Sequence, residues 1–164
     1  MNWSPPRYPL YKTNVDGVVF SAQKAASVGV IVRDHEGRFI AGLSKKIHDP
    51  LGAIVAEAKA FEVGIIFAKE VGIREFVLEG DSIIIVQALK ECSHAPSSVV
   101  PLIYGMLAKC HEFRNVAFSH VRRQGNRPAH LLAKHALGMV DFSAWIEECP
   151  CFLEQAIIHD VIVS

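Results

Sequence analysis

The hydrophobic residues of this chain change their spacing from the alternation of strands to the period of a helix, and this change limits the available folds. Three β-branched runs come first, at residues 11–20, at 27–34 and after the glycine-containing turn that ends at Gly37. Short turns join these runs, which predicts an antiparallel meander. Residues 49–72 then follow a period of about 3.6 residues and end on a glycine, which predicts a long helix with its stop signal.

Strands and helices alternate in the second half of the chain. The predicted elements are a strand at 75–81, a helix at 82–92, a helix within 97–113, a strand at 115–121, and a helix at 126–138 with Asn126 as its N-cap. The order βββαβααβα predicts an α/β fold, a mixed sheet flanked by helices. We expect residues 1–10 to form a lead-in, 11–140 the domain, and 141–164 a packed C-terminal extension.

Composition limits the function classes. The 164 residues are 51% hydrophobic, which is enough for one domain with a hydrophobic core. Lys plus Arg number 17, as do Asp plus Glu, so nucleic acid binding would need a local basic patch. No secretion signal or membrane span is indicated, and we expect an intracellular protein of the nucleus or the cytoplasm. The cysteines lack paired C-x-x-C spacing and are predicted to be reduced thiols: Cys92, Cys110, Cys149 and Cys151.

Glu57 is the most informative single position. The residues three, four and seven positions away on the same helix face are apolar or glycine: Ala53, Ile54, Ala60, Phe61 and Gly64. A carboxylate inside such an apolar stripe costs several kcal/mol unless it is paired or binds a metal. A structural salt bridge to an arginine and a metal site are therefore the two alternatives.

Two aspartates lie at positions where they can join Glu57. Asp16 belongs to the first predicted strand, although Asp16-Gly17 also fits a hairpin turn. Asp81 follows a strand, and its alternative is a helix N-cap shared with Ser82. If the first and fourth strands are neighbours, the three carboxylates can converge. Three oxygen ligands indicate magnesium or manganese rather than zinc. Two magnesium or manganese ions bound as a pair support phosphodiester hydrolysis.

Four motifs together give the chain a family likeness. The segments "NVDG", "AEA", "EGDS" and "HVRRQGNRPAHLLAKHAL" resemble the type 1 ribonuclease H domain, across about 3–138. The likeness is greatest to plant ribonuclease H-like domains, found alone or at the end of non-LTR retroelement reverse transcriptases. It implies a five-stranded mixed sheet, the metal ligands Asp16, Glu57 and Asp81, and Mg²⁺ as cofactor with Mn²⁺ as a substitute. It also implies endonucleolytic hydrolysis of the RNA strand of RNA/DNA hybrids by two-metal-ion catalysis.

The chain departs from this family at the fourth acidic position, where His130 replaces an aspartate. The resemblance makes His130 a catalytic residue that supports the site. A histidine brings no negative charge, so we expect weaker binding of a second ion, a preference for manganese and reduced activity. The alternative is a histidine that only covers the end of the helix.

The resemblance also implies a nucleic-acid-binding surface. The residues expected to contact the hybrid are Gly17, Ser82, Arg122, Arg123, Asn126 and Arg127, with Lys134 as a further basic group. His120 is expected to lie in the last strand. Ala53 and Ile54 replace the amides that many members use to read the minor groove, and there is no basic handle between the middle helices. The basic residues alternatively form an ordinary solvated surface.

The leading interpretation is a metal-dependent endoribonuclease acting on RNA/DNA hybrids. A rival interpretation is a binding module that keeps the fold and three acids but has lost efficient turnover. The neutral net charge and His130 favour this interpretation. A third is a 3′–5′ exonuclease or a nuclease of the integrase and transposase kind, which fits the motifs less well. The "WSPP" lead-in resembles the junction that follows an upstream reverse transcriptase domain.

Overall fold

A computed structural model describes residues 2–91 and 94–164. It contains six strands: β1 (Tyr11–Phe20), β2 (Ala25–Arg33), β3 (Phe39–Ile47), β4 (Glu75–Gly80), β5 (Asn115–His120) and β6 (Phe142–Ile146). It contains five α-helices: α1 (Ala53–Glu70), α2 (Ile83–Leu89), α3 (Val100–Cys110), α4 (Arg127–His135) and α5 (Glu154–Val163).

The strands form one mixed sheet in the order β5-β4-β1-β2-β3-β6. Strands β1, β4 and β5 are parallel neighbours, while β1, β2, β3 and β6 pair antiparallel. The predicted meander and crossovers are therefore confirmed, and the first and fourth strands are adjacent. The expected sheet of five strands is extended by β6, which pairs with the free edge of β3.

Helix α1 covers one face of the sheet, which we call the α1 face. Alternate residues of each strand are buried against this helix. Examples are Val15, Val30 and Leu43, which the strand register places side by side. The helix ends where predicted, because Gly72 adopts a φ of +85° that other residues rarely tolerate. This face holds the large apolar cluster of the domain.

Helix α4 covers the opposite face, which we call the α4 face. Its apolar cluster is small and centres on Ile31, Ala129, Leu132 and Leu153. Side-chain hydroxyls reach the helix directly: Ser27 Oγ donates to the Ala133 carbonyl at 2.6 Å and Ser44 Oγ to the Leu132 carbonyl at 2.7 Å. Strands β2 and β3 are thus hydrogen-bonded to the helix above them.

The terminal segments dock on the α4 face. The Arg33 guanidinium is fully buried and pairs with Asp160 of α5, Nη1 to Oδ2 at 2.8 Å. The ring of Trp3 lies over that guanidinium, 3.9 Å from its carbon, and is 1% exposed. The lead-in and the C-terminal extension therefore share one buried arginine.

Within the described ranges, Cys110, Cys149 and Cys151 are free thiols, as predicted, while Cys92 lies outside them. None of the helices described combines the length and hydropathy needed to cross a bilayer.

Candidate metal centre

The candidate site lies where the parallel strands β1 and β4 stop pairing. The last paired residues are Val15 and Gly80, and Asp16 and Asp81 follow them directly. Asp16 is inside β1 and paired with Gly29 of β2, so the hairpin-turn alternative is wrong. Because parallel strands carry their carboxyl ends to the same edge, the two aspartates meet there.

Glu57 reaches the same edge from helix α1. Its Oε1 accepts a hydrogen bond from the backbone N–H of Gly17 at 2.7 Å. A Cβ at Gly17 would overlap the Ala56 carbonyl, so glycine lets the helix approach the strand closely enough for this bond. Among the described residues Glu57 forms no salt bridge, and the expected alternative of an arginine partner is therefore wrong.

One oxygen from each of Asp16, Glu57 and Asp81 lies within 4.8 Å of the other two. Helix α2 takes Ser82 as its N-cap residue, without a side-chain bond, so Asp81 does not serve as a cap. Hard oxygen ligands without sulfur or imidazole among them suit Mg²⁺ or Mn²⁺. The three carboxylates predicted to converge do so.

Burial and neighbouring charges raise the pKa of two of the carboxyl groups, Glu57 and Asp16. Burial, followed by the charges of Asp16 and Asp81, raises the pKa of Glu57 from 4.5 to about 9, against the hydrogen bond from Gly17 that lowers it. Burial also raises the pKa of Asp16, with Asp81 adding to the effect and His130 opposing it. At neutral pH the cluster therefore carries fewer than three negative charges unless a cation compensates them. A divalent cation suits such a set of carboxylate ligands.

His130 lies in the first turns of α4 and contacts Asp16. Its Nδ1 is 2.7 Å from Asp16 Oδ2, and its side chain is 24% exposed. The alternative in which His130 only covers the end of the helix is therefore wrong. His130 lies outside the group of three that offer converging ligand atoms, and it acts on that group through Asp16.

An open cavity of about 680 Å³ surrounds the carboxylates. Four of the residues expected to contact nucleic acid line it: Gly17, Ser82, Arg122 and Arg123. His120 ends β5, as predicted, and also lines the cavity. Arg123 Nε is 3.8 Å from Asp81 Oδ2. The exposed side chains of Arg127 and Lys134 are not among the lining residues.

Asn126 is the N-cap residue of α4, as expected, but its side chain neither caps the helix nor faces the cavity. It is 1% exposed, and its amide bonds to Asn14 and to the Val15 carbonyl instead. A direct contact between this side chain and nucleic acid is therefore not available in this conformation, because its polar atoms face the interior.

Sequence reasoning missed a layer of buried polar residues directly below the carboxylates. Asn14 and Glu79 pair across β1 and β4. A signal for this layer was present, because Lys12, Asn14 and Asp16 are polar at alternating positions of a strand whose other positions are mostly apolar.

Comparison with known proteins identifies a family that this chain matches. A family model described as reverse transcriptase-like matches residues 14–136. No curated protein matches the chain significantly.

Solved structures share the fold. The ribonuclease H1 of the archaeon Halobacterium salinarum has a TM-score of 0.68 and 22% identity, covering 79% of this chain and 98% of its own. The LC11 ribonuclease H1 in complex with an RNA/DNA hybrid has a TM-score of 0.69 and 20% identity, covering 78% of this chain and 99% of its own. A foamy viral protease-reverse transcriptase in complex with RNA/DNA hybrid has a TM-score of 0.61 and 16% identity, over 85% of this chain and 22% of the viral one.

Proposed function

Because this chain belongs to the reverse transcriptase-like family and forms a ribonuclease H domain, we propose that it hydrolyses the RNA strand of RNA/DNA hybrids internally, using divalent cations. The observation that carries the proposal is the convergence of Asp16, Glu57 and Asp81 within 4.8 Å at the mouth of an open cavity. A buried acid such as Glu57, whose pKa is raised to about 9, is costly to maintain in a fold that has no use for it. The similar structures determined in complex with RNA/DNA hybrid support the choice of substrate.

Asp16, Glu57 and Asp81 would hold Mg²⁺, with Mn²⁺ as a substitute. Bound in a pair, such ions supply an activated water and charge stabilisation for the leaving oxygen of a phosphodiester. The chain itself fixes the ligands: the strand ends orient the two aspartates, and the Gly17 amide orients Glu57. His130 holds Asp16 Oδ2 through Nδ1 and thereby supports this ligand without adding a negative charge.

Arg122 and Arg123 supply positive charge at the cavity for the phosphates of the hybrid. Gly17 and Ser82 line the cavity beside the carboxylates, where the backbone of the hybrid would pass. We extend the proposal to an intracellular protein of the plant retroelement type, with an upstream reverse transcriptase domain as its partner. The viral match, in which this fold is part of a longer reverse transcriptase chain, supports that partner.

The test is cleavage of a hybrid labelled on its RNA strand, in magnesium and then in manganese. Asp16→Asn and Asp81→Asn remove ligand charge and are expected to abolish internal RNA cuts. Glu36→Gln is the matched control, because Glu36 is an exposed acid that pairs only with neighbouring surface residues. A preference for manganese would reflect the histidine at position 130, which brings no negative charge to the site. Cuts that persist in both aspartate variants would contradict the proposal.

A second candidate function is favoured by one observation. His130 already engages an oxygen of Asp16, so this ligand is partly committed before any cation arrives. The alternative is a binding module in which turnover has been lost. A folded protein that binds the hybrid in both metals and leaves the RNA intact would establish it.

A further inference from the structure

Three polar side chains form a layer beneath the carboxylates. Register places Asn14 of β1 beside Glu79 of β4, and Glu79 beside Ser119 of β5. Asn14 and Glu79 precede Asp16 and Asp81 by two residues, so each strand carries one residue of this layer and then one of the site. Glu79 is fixed from three sides, by Asn14, by Ser119 Oγ at 2.8 Å and by Lys12 Nζ at 3.2 Å.

The Asn14 amide has a single orientation that satisfies its neighbours. Its Nδ2 donates to Glu79 Oε1 at 3.0 Å and to Asn126 Oδ1 at 3.1 Å. Its Oδ1 accepts a hydrogen bond from Trp3 Nε1 at 3.0 Å. A flipped amide would place its oxygen against two acceptors and its NH₂ against a donor, so Glu79, Asn126 and the indole N–H of Trp3 together select the orientation.

Asn126 connects this layer to the peptide bond that precedes Asp16 and to His130. Its Nδ2 donates to the carbonyl of Val15 at 2.9 Å, in the peptide bond that leads into Asp16. Its own carbonyl accepts the backbone N–H of His130 at 3.2 Å. The start of helix α4 is thus attached to β1 beside Asp16, and this attachment sets where His130 meets that residue.

We propose that Asn14 is a positioning residue for the cation site, and that Trp3 of the lead-in helps to hold it in that orientation. Through Glu79 and Asn126, Asn14 fixes the spacing of Asp16 and Asp81 and the placement of His130. The inference rests on the proposed function only in sharing its cation site. It gives the lead-in, and through the Arg33 and Asp160 pair also helix α5, a role in the geometry of a site that neither contacts.

Trp3→Phe keeps an aromatic ring over Arg33 and removes the indole N–H that donates to Asn14, together with part of the ring system. Asn14→Leu removes the amide itself. The measurement is the dissociation constant of Mn²⁺ and of Mg²⁺ by calorimetry, well below the unfolding temperature, followed by hybrid cleavage. Partners bonded directly to a metal ligand change the affinity by about tenfold or more. Asn14 acts through Glu79 and Asn126 rather than on a ligand, so we expect a loss of up to about tenfold in Asn14→Leu and a smaller loss in Trp3→Phe.

Ile65→Val is the matched control. Ile65 is 1% exposed in the apolar cluster of the α1 face and has no part in the hydrogen bonds of the polar layer, so this substitution is expected to lower stability without moving the carboxylates. The proposal requires weaker cation binding in Trp3→Phe and unchanged binding in Ile65→Val.

Three outcomes separate this inference from the proposed function. A Trp3→Phe protein that loses stability as Ile65→Val does, with the wild-type dissociation constant, overturns the inference alone. Wild-type protein that binds the cations and cuts no hybrid overturns the proposed function, while the difference between the variants still supports the inference. A wild type that binds neither cation overturns both.

Discussion

Between the sheet and helix α1 the buried side chains are almost all apolar, whereas between the sheet and helix α4 many are polar or charged. The α1 face holds a single large cluster of aliphatic and aromatic residues. The polar or charged residues buried on the α4 face, or in the segments that cover it, are Lys12, Asn14, Asp16, Ser27, Arg33, Ser44, Glu79, Asn126 and Asp160. One sheet thus carries two interiors of opposite character.

This difference separates stability from geometry. Apolar packing contributes most of the folding free energy but tolerates small shifts of one element against another. Hydrogen bonds and ion pairs in a buried network are satisfied in few arrangements, so they specify positions more narrowly. The candidate site takes Asp16 and His130 from the α4 face, where positions are specified, and only Glu57 from helix α1.

The largest effect is expected from breaking the ion pair of Arg33 and Asp160. Asp160→Ala leaves a fully buried guanidinium without its partner, and such losses cost about 3–5 kcal/mol in the free energy of unfolding. Within the described part of the chain, Arg33 Nε and Nη2 already lack hydrogen-bond partners, so the pair itself is poorly compensated. The double variant Arg33→Leu with Asp160→Leu is therefore expected to recover most of the loss in urea unfolding. If the double variant is less stable than Asp160→Ala, the α4 face depends on this charge pair itself.

The next effect concerns pH. The pKa of Glu57 is raised from 4.5 to about 9, so the folded state keeps a proton that the unfolded state releases between these values. Unfolding therefore becomes easier as pH rises from 4.5 to 9, by at most 1.4 kcal/mol per pH unit and by about 3 kcal/mol if half the shift is realised.

Urea unfolding in EDTA across this pH range measures the effect. Glu57→Gln removes the titrating group and is expected to flatten the pH dependence, while added Mg²⁺ restores stability at the alkaline end. An equally steep loss of stability in Glu57→Gln would assign the effect to other groups, with Asp16 the first candidate because its pKa is raised too.

A pair of matched glycine substitutions compares the rigidity of the two faces. A Cβ at Gly29 would overlap backbone atoms of Ala129 and Ala133, so Gly29→Ala must push α4 off the sheet. A Cβ at Gly64 would meet mainly the Val15 side chain, which can turn away. We expect Gly29→Ala to cost about 3 kcal/mol and Gly64→Ala about 1 kcal/mol, the latter reduced by the better helix propensity of alanine.

Cation affinity should separate these variants further. Gly29→Ala shifts the helix that carries His130 and is expected to weaken cation binding, whereas Gly64→Ala leaves it unchanged. Equal losses of affinity in calorimetry would mean that the two faces specify the site alike.

The sequence predicted local elements well, because their signals are local. Strand β1 spans the residues expected for it, and α1 stops at its glycine signal. Strand β6 was not predicted, since a short segment becomes a strand here by pairing with the edge of β3, and that edge is a product of the fold.

The three carboxylates of the site could be predicted from the sequence. The ends of strands and an acidic residue within the apolar stripe of a helix are both recognisable from the order of residues alone. The bond between His130 and Asp16 could not, because it depends on how closely α4 approaches β1. The interior role of Asn126 was missed for a similar reason. Its amide looks like a cap in sequence, and only the neighbouring Asn14 gives it another partner.

The smallest effect tests the exception on each face. Thr13 is fully buried on the α1 face, and its Oγ1 has no hydrogen-bond partner among residues 2–91 and 94–164. Thr13→Val removes this desolvated hydroxyl and is expected to stabilise the protein by about 1 kcal/mol. Ser27 on the α4 face donates to the Ala133 carbonyl, and Ser27→Ala is expected to destabilise it by about 1 kcal/mol. Urea unfolding of both variants under identical conditions measures the difference. Changes of the same sign would mean that a hydroxyl contributes equally on both faces, and the contrast between an apolar and a hydrogen-bonded interior would then lie in the charged residues alone.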